Sequence, residues 1–222
     1  MDTISYIGLC MPPVLAIILY LYLLLRNNKR FGFLLMKSYL AGAIASIFMV
    51  GSLYIAKFSG LAIFTTLFDV LVYAFVFLGF ASELGKFLVF RFYVLSKPEV
   101  DTPIHSMAFS VMISLGFTTV AVLLFVFNIL DTSPAYPKNM YLLLAAPSNI
   151  IFAVVMGFFV GMSKFIESKF TYAFFGLLAA SFFNGLFKFC LITHDYKLLN
   201  IFAFGSALVV MVLIIKAINY RF

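Results

Sequence analysis

Along the chain, apolar residues come in long unbroken runs, without the period of an amphipathic surface helix or the alternation of a half-buried strand. A helix that crosses about 30 Å of hydrocarbon needs about 20 apolar residues, and charges and prolines bound such runs. Seven spans are predicted, at about 4–25, 35–56, 61–82 with an apolar helical extension to 95, 104–130, 141–162, 172–193 and 197–218. A transmembrane β-barrel would require short alternating segments, which are missing. The pattern predicts an all-α, polytopic membrane helix bundle of about seven transmembrane helices, forming a single domain over residues 1–222.

Composition strengthens that reading. Hydrophobic residues make up 65% of the chain and charged residues 10%, with a mean hydropathy of +1.15. About a quarter of a soluble domain is charged, so a water-soluble fold is excluded. The hydrophobicity also excludes a disordered chain, and Gly and Pro show no collagen period. The net charge of +7 is scattered between apolar runs and forms no basic stripe with interleaved aromatics, so the expected partner is the lipid bilayer and not nucleic acid. Cys10 and Cys190 both sit inside apolar runs, which argues against a disulfide or zinc framework.

The placement of the basic residues predicts orientation. Arg26, Lys29, Arg30, Lys37, Arg91, Lys97, Lys164, Lys169, Lys216 and Arg221 fall at one set of span ends, and Lys57, Lys138 and Lys197 at the other. By the positive-inside rule the amino terminus is expected outside and the carboxyl terminus in the cytoplasm. The first run lacks a basic n-region and a cleavage site, so it is expected to remain as an anchor. Without Trp, an interfacial belt must use Tyr, and Tyr6, Tyr22, Tyr39, Tyr54, Tyr93, Tyr141, Tyr172, Tyr196 and Tyr220 lie near predicted ends. Pro12 and Pro13 predict irregular first turns, and Pro147 a kink in the fifth span. Gly157 and Gly161 form a small-xxx-small pair suited to close packing, more readily inside the bundle than between copies.

The informative residues are those that hydrocarbon penalises: Asp69, Glu83, Lys86, Asn149, Asn184 and Lys188. A charge at mid-bilayer costs about 2.5–3.5 kcal/mol on insertion scales, so each is expected to face protein or a water-filled cavity. Glu83 and Lys86 are three residues apart and share a helix face, as do Asn184 and Lys188 one turn apart. Such groups can serve as interhelical contacts that orient a bundle, as a catalytic site or as an ion path. By depth, Asp69 is the nearest candidate counter-ion for Lys188, while contact between Glu83 and Lys188 would need a tilt or an intervening water.

Four blocks, in order, resemble the PrsW family of bacterial intramembrane proteases: SELGKF at 82–87, EVDTPIHSMAFSVMISLGFTTVA at 99–121, PSNIIFAVVMGFFVGMSKF at 147–165 and FFNGLFKF at 182–189. They are similar to the family's EExxK pattern, its acidic loop with a helix ending in Phe-x-x-x-Glu, a helix opening on Pro-x-His, and an HGxxD-type motif. With flanking spans the resemblance covers about 67–193. The departures fall on the chemistry. Ser82 stands for the first Glu, leaving Glu83 beside Lys86. Phe117 is present, but Ala121 stands where the acid would be; Asn149 and Asn184 replace two histidines, and Lys188 replaces an Asp and reverses its charge.

The resemblance implies Glu83 and Lys86 as retained catalytic-motif positions, and a pocket at the replaced positions Ser82, Phe117, Ala121, Asn149, Asn184 and Lys188. It also implies the bacterial plasma (inner) membrane as the location and single-span membrane proteins, such as anti-sigma factors, as the ligand class. Peptide hydrolysis needs a group that takes a proton from water and a second group, or a metal, that stabilises the oxyanion. Asn does neither proton task, and the histidines, His105 and His194, fall at predicted loops on opposite sides of the membrane. A three-ligand zinc site cannot be assembled from what remains, so no metal or other cofactor is expected. The expected function is a catalytically degenerate protease relative that binds or regulates membrane proteins. An active endopeptidase built on Glu83 and a small transporter or channel are the alternatives.

Overall fold

The computed structural model describes residues 2–26, 31–129, 137–166 and 169–219. Lys29, Arg30, Tyr220 and Arg221, used in the charge and tyrosine readings, and residue 130 lie outside them. Seven helices are long and apolar enough to cross a membrane: α1 Thr3–Arg26, α2 Gly32–Phe58, α3 Leu67–Val94, α4 Pro103–Val126, α5 Lys138–Met162, α6 Lys169–Ile192 and α7 Tyr196–Asn219. No strand occurs among the described residues. Helices α4, α5 and α6 form the centre, with 61–67% of their apolar windows buried, whereas α1 and α7, at 22% and 17%, lie at the periphery.

The start of α3 differs from the expected 61. Thr66 Oγ1 accepts from Asp69 N at 3.3 Å, and Asp69 Oδ2 accepts from Thr66 N at 2.8 Å and from Thr65 N at 3.0 Å. This capping box satisfies the orphan amides of the first turn and starts the helix at Leu67. The span therefore continues to Val94 as one crossing, with Glu83 and Lys86 near its middle instead of in an extension. Two stretches of α3, Tyr73–Phe80 and Val89–Val94, are π-helical. The bond from Leu95 N to Phe90 O, 2.9 Å, shows the i to i+5 pattern. They bracket the α-helical segment Ala81–Leu88 that carries the charged pair.

Helix α1 runs unbroken from Thr3 through Pro12 and Pro13, so the irregular first turns are not found. Hydrocarbon offers no water to reward unwinding, and each proline removes only its own helical bond. Helix α5 likewise continues through Pro147. Pro103, in the first turn of α4, follows Thr102, whose side chain accepts from His105 N at 3.2 Å.

Small residues set the closest approaches. A methyl group at Gly157 would lie 2.8 Å from Met107 Cα, and one at Gly161 would strike the Ser106 side chain, so this pair packs α5 onto α4 within the chain. Gly42 and Gly116 do the same reciprocally between α2 and α4, against the Ile113 and Tyr39 carbonyls. A methyl group at Gly79 would lie 2.9 Å from Gly185 Cα, which brings α3 and α6 nearly into backbone contact.

Candidate functional site

The Gly79–Gly185 crossing lies one turn before Glu83 on α3 and next to Asn184 on α6, so a short amide side chain can reach across. Asn184 Nδ2 donates to Glu83 Oε1 at 2.7 Å. From the next turn of α3, Lys86 Nζ donates to the same oxygen at 2.6 Å and to Asn149 Oδ1 of α5 at 2.9 Å. Asn149 is itself held twice: its Nδ2 donates to Ala145 O at 2.9 Å, and Ser114 Oγ of α4 donates to its backbone oxygen at 2.9 Å. Phe117, one turn of α4 from Ser114, places its ring 4.9 Å from Lys86 Nζ, a cation–π contact.

Lys188, one turn beyond Asn184, lies with its ammonium 4.2 Å from the centre of the Tyr141 ring and within electrostatic reach of Glu83 and Lys86. All of these polar residues are buried, from 0% exposure at Glu83 to 8% at Lys188. The cluster thus gathers two ammonium groups around one carboxylate. Glu83 Oε2 and Asn184 Oδ1 are buried acceptors without a hydrogen-bond partner among the described residues.

The structure thus brings Glu83, Lys86, Asn149 and Asn184 into one hydrogen-bonded network, with Phe117 and Lys188 against it. Ser82 is buried beside Glu83 in the chain but takes no part in these bonds among the described residues. Ala121 lies one turn beyond Phe117 in an apolar cluster with Ala74, Leu78 and Ile192, and adds no polar group. Asp69 does not serve Lys188: its carboxylate is taken up by Thr65 and Thr66 at the start of its own helix, and the acid facing Lys188 is Glu83.

Two contributors escaped the sequence reading. Tyr141, expected at an interfacial belt, is buried beneath Lys188, and Tyr39, expected there too, turns inward to Thr119 Oγ1 at 2.7 Å. The hydroxyl stripe Ser106, Ser110, Ser114 and Thr118 on α4 was legible as an i, i+4 repeat; Ser106 and Ser114 donate to carbonyls of α5, and Thr118 to one of α4 itself.

A family model described as PrsW family intramembrane metalloprotease matches residues 32–218, a wider stretch than the four blocks. The chain belongs to the PrsW family. Protease PrsW of Geobacillus kaustophilus (strain HTA426) is 29% identical over 124 residues, which is 55% of this chain and 53% of that protein. The chain therefore spans about half the length of this curated relative. No solved structure gives a significant match.

The PrsW description implies a metal, and the donors in this cluster do not fit one. A catalytic zinc takes three protein ligands from His, Asp, Glu or Cys. Here the cluster offers one carboxylate, whose Oε1 already accepts from Lys86 and Asn184, and an Asn149 carbonyl taken by Lys86. The ammonium groups of Lys86 and Lys188 would repel a divalent cation placed among them. Among the described residues no group of three or more His, Cys, Asp or Glu comes together, and His105 pairs with Asp101 at the start of α4 instead.

Proposed function

We propose that this PrsW family protein binds single-span membrane proteins, anti-sigma factors among them, and regulates them without cutting. The observation that carries this reading is the position of the Lys86 ammonium between Glu83 Oε1 and Asn149 Oδ1. There it uses the acceptors of two motif helices that hydrolysis would need for water or metal. General acid–base help is worth about 10²- to 10⁴-fold, and the amides of Asn149 and Asn184 supply none of it. The same cluster retains a binding capacity. The unpartnered Glu83 Oε2 and Asn184 Oδ1 are acceptors for amide N–H groups, and Lys188 is a donor for a carbonyl, the complement of a peptide unit opened from its helix.

Membership of a family of bacterial intramembrane proteases supports a plasma-membrane placement, and the basic-residue bias supports an amino terminus outside and a carboxyl terminus in the cytoplasm. A second reading, an active endopeptidase, is favoured by the single free oxygen of Glu83, which has the geometry of a base with one open acceptor.

The test uses the purified chain in proteoliposomes with a single-span peptide carrying a fluorophore at each end. Binding without cutting predicts a saturable energy-transfer signal to the labelled chain, weakened by Asn184→Leu and Lys188→Met, with both peptide fluorophores kept on one molecule. A peptide that never associates, or one that separates into fragments only with an intact Glu83, overturns the reading.

A further inference from the structure

Away from the polar core, α1 and α7 each pack on α4 and α5 but scarcely on one another. Between them runs a groove of about 860 Å³. Its walls are apolar, with Ile18 and Leu19 of α1, Val111 and Leu115 of α4 and Ile214 of α7. One end is polar and carries Arg26, Thr102 and His105. Arg26 is the last residue of α1 and exposed; one guanidinium nitrogen donates to Tyr22 Oη at 2.8 Å, leaving further donors of the five. His105 is paired with Asp101, and Asp101 lies within electrostatic reach of Lys164. Arg26 thus brings to this end guanidinium donors beyond the one bonded to Tyr22.

The height of the groove narrows the choice of occupant. From Leu15 to Arg26 along α1 is about 16 Å, and from Thr102 to Leu115 along α4 about 20 Å, at about 1.5 Å per residue. The hydrocarbon layer is about 30 Å thick, so the groove is one leaflet deep, with its cation at headgroup level. A transmembrane helix requires the full thickness, whereas a lipid of one leaflet requires half.

We propose that this groove is a binding site for a phospholipid with an acidic headgroup, drawn from the leaflet at the Arg26 end. Its acyl chains lie along the α1, α4 and α7 walls and its phosphate accepts from the Arg26 guanidinium beside Thr102. The site is separate from the Glu83 network and does not depend on whether that network cuts peptides.

The experiment strips lipid from the full chain in detergent, titrates it with phosphatidylglycerol or phosphatidylcholine of the same acyl composition, and counts bound lipid by native mass spectrometry. The expected result is one tightly held phosphatidylglycerol per chain. Arg26→Gln should lower that affinity about fivefold, to the level of phosphatidylcholine. Ala108→Trp, which fills the groove from α4, and Ile18→Trp, which fills it from α1, should each lower retention of both lipids. Ile47→Trp, on the exposed face of α2, should change neither, and an unchanged thermal midpoint identifies the variants that remain folded. Retention that is indifferent to headgroup, or that survives in a folded Trp variant, identifies ordinary surrounding lipid and overturns the proposal. Displacement of the lipid by a hydrophobic transmembrane peptide would overturn it in favour of a helix-binding groove.

Discussion

Glu83 and Lys86 meet at 2.6 Å with both side chains at or below 3% exposure, and a buried pair of this kind responds asymmetrically to mutation. Removing one partner strands an ion away from water and costs about 3–5 kcal/mol, whereas replacing both with apolar groups of similar volume is often neutral or stabilising. Glu83→Leu and Lys86→Met alone should therefore each lower unfolding stability by about 3 kcal/mol, and the double variant should recover most of the loss. Chemical or SDS unfolding of the purified chain checks this, and additive single losses would show that the ion pair is not the unit that matters. These residues were legible because each is polar inside an apolar run. Their partners were less so. Asp69 has the depth of a counter-ion for Lys188, but its short side chain bonds the amides of Thr65 and Thr66 instead. Tyr141, near the start of its helix, resembled a belt residue because nothing in the sequence marks which way its ring turns.

At the scale of elements, the crossing of α3 over α6 decides whether Asn184 reaches Glu83. Gly185→Ala would bring a methyl group to 2.6 Å from the Phe75 ring and 3.0 Å from Phe75 Cα. The expected cost is about 1–3 kcal/mol of overpacking, together with a fall in peptide capture, both read on the same purified variant. If only stability falls, the crossing does not position the network. The seven runs predicted seven helices because hydrophobic length alone determines a crossing. The start of α3 was displaced because Leu61–Phe64 look like span, while the capping box at Thr66 and Asp69 was there to be found. The π-helical stretches had no signature in composition, since the i to i+5 bond is a matter of packing.

A further element-level test concerns Lys164, beyond the end of α5, whose Nζ donates to Val100 O at 2.6 Å and to Lys97 O at 3.1 Å. Partial burial there holds its pKa below the usual 10.5, with Asp101 and then Glu99 pulling it back up. Between the folded and unfolded values the unfolded chain binds more protons, so this lysine's contribution to stability rises as pH approaches 10.5. The unfolding midpoint of the native chain should accordingly gain on that of Lys164→Met over that interval, and a widening deficit would contradict the assignment.

For the whole molecule, the bundle places the ends carrying Arg91, Lys97, Lys164 and His105 together, through the contacts of Arg91 with Ser163 and of Lys164 with the α3–α4 connection. In the proposed topology that end is cytoplasmic. In a chain with Cys10→Ala and Cys190→Ala, a membrane-impermeant maleimide should label Lys57→Cys from outside and Lys97→Cys only after permeabilisation, and the reverse pattern would invert the topology. The family and its four motif blocks were legible because they are runs of sequence. What the replaced positions do together was not, because it depends on which helices lie side by side.

Binding without hydrolysis is tested most directly by prolonged incubation of the unmodified chain with single-span peptides in proteoliposomes, followed by mass spectrometry of every peptide product. Intact peptide at all times is the expected result. Fragments that disappear with Glu83→Gln would contradict it.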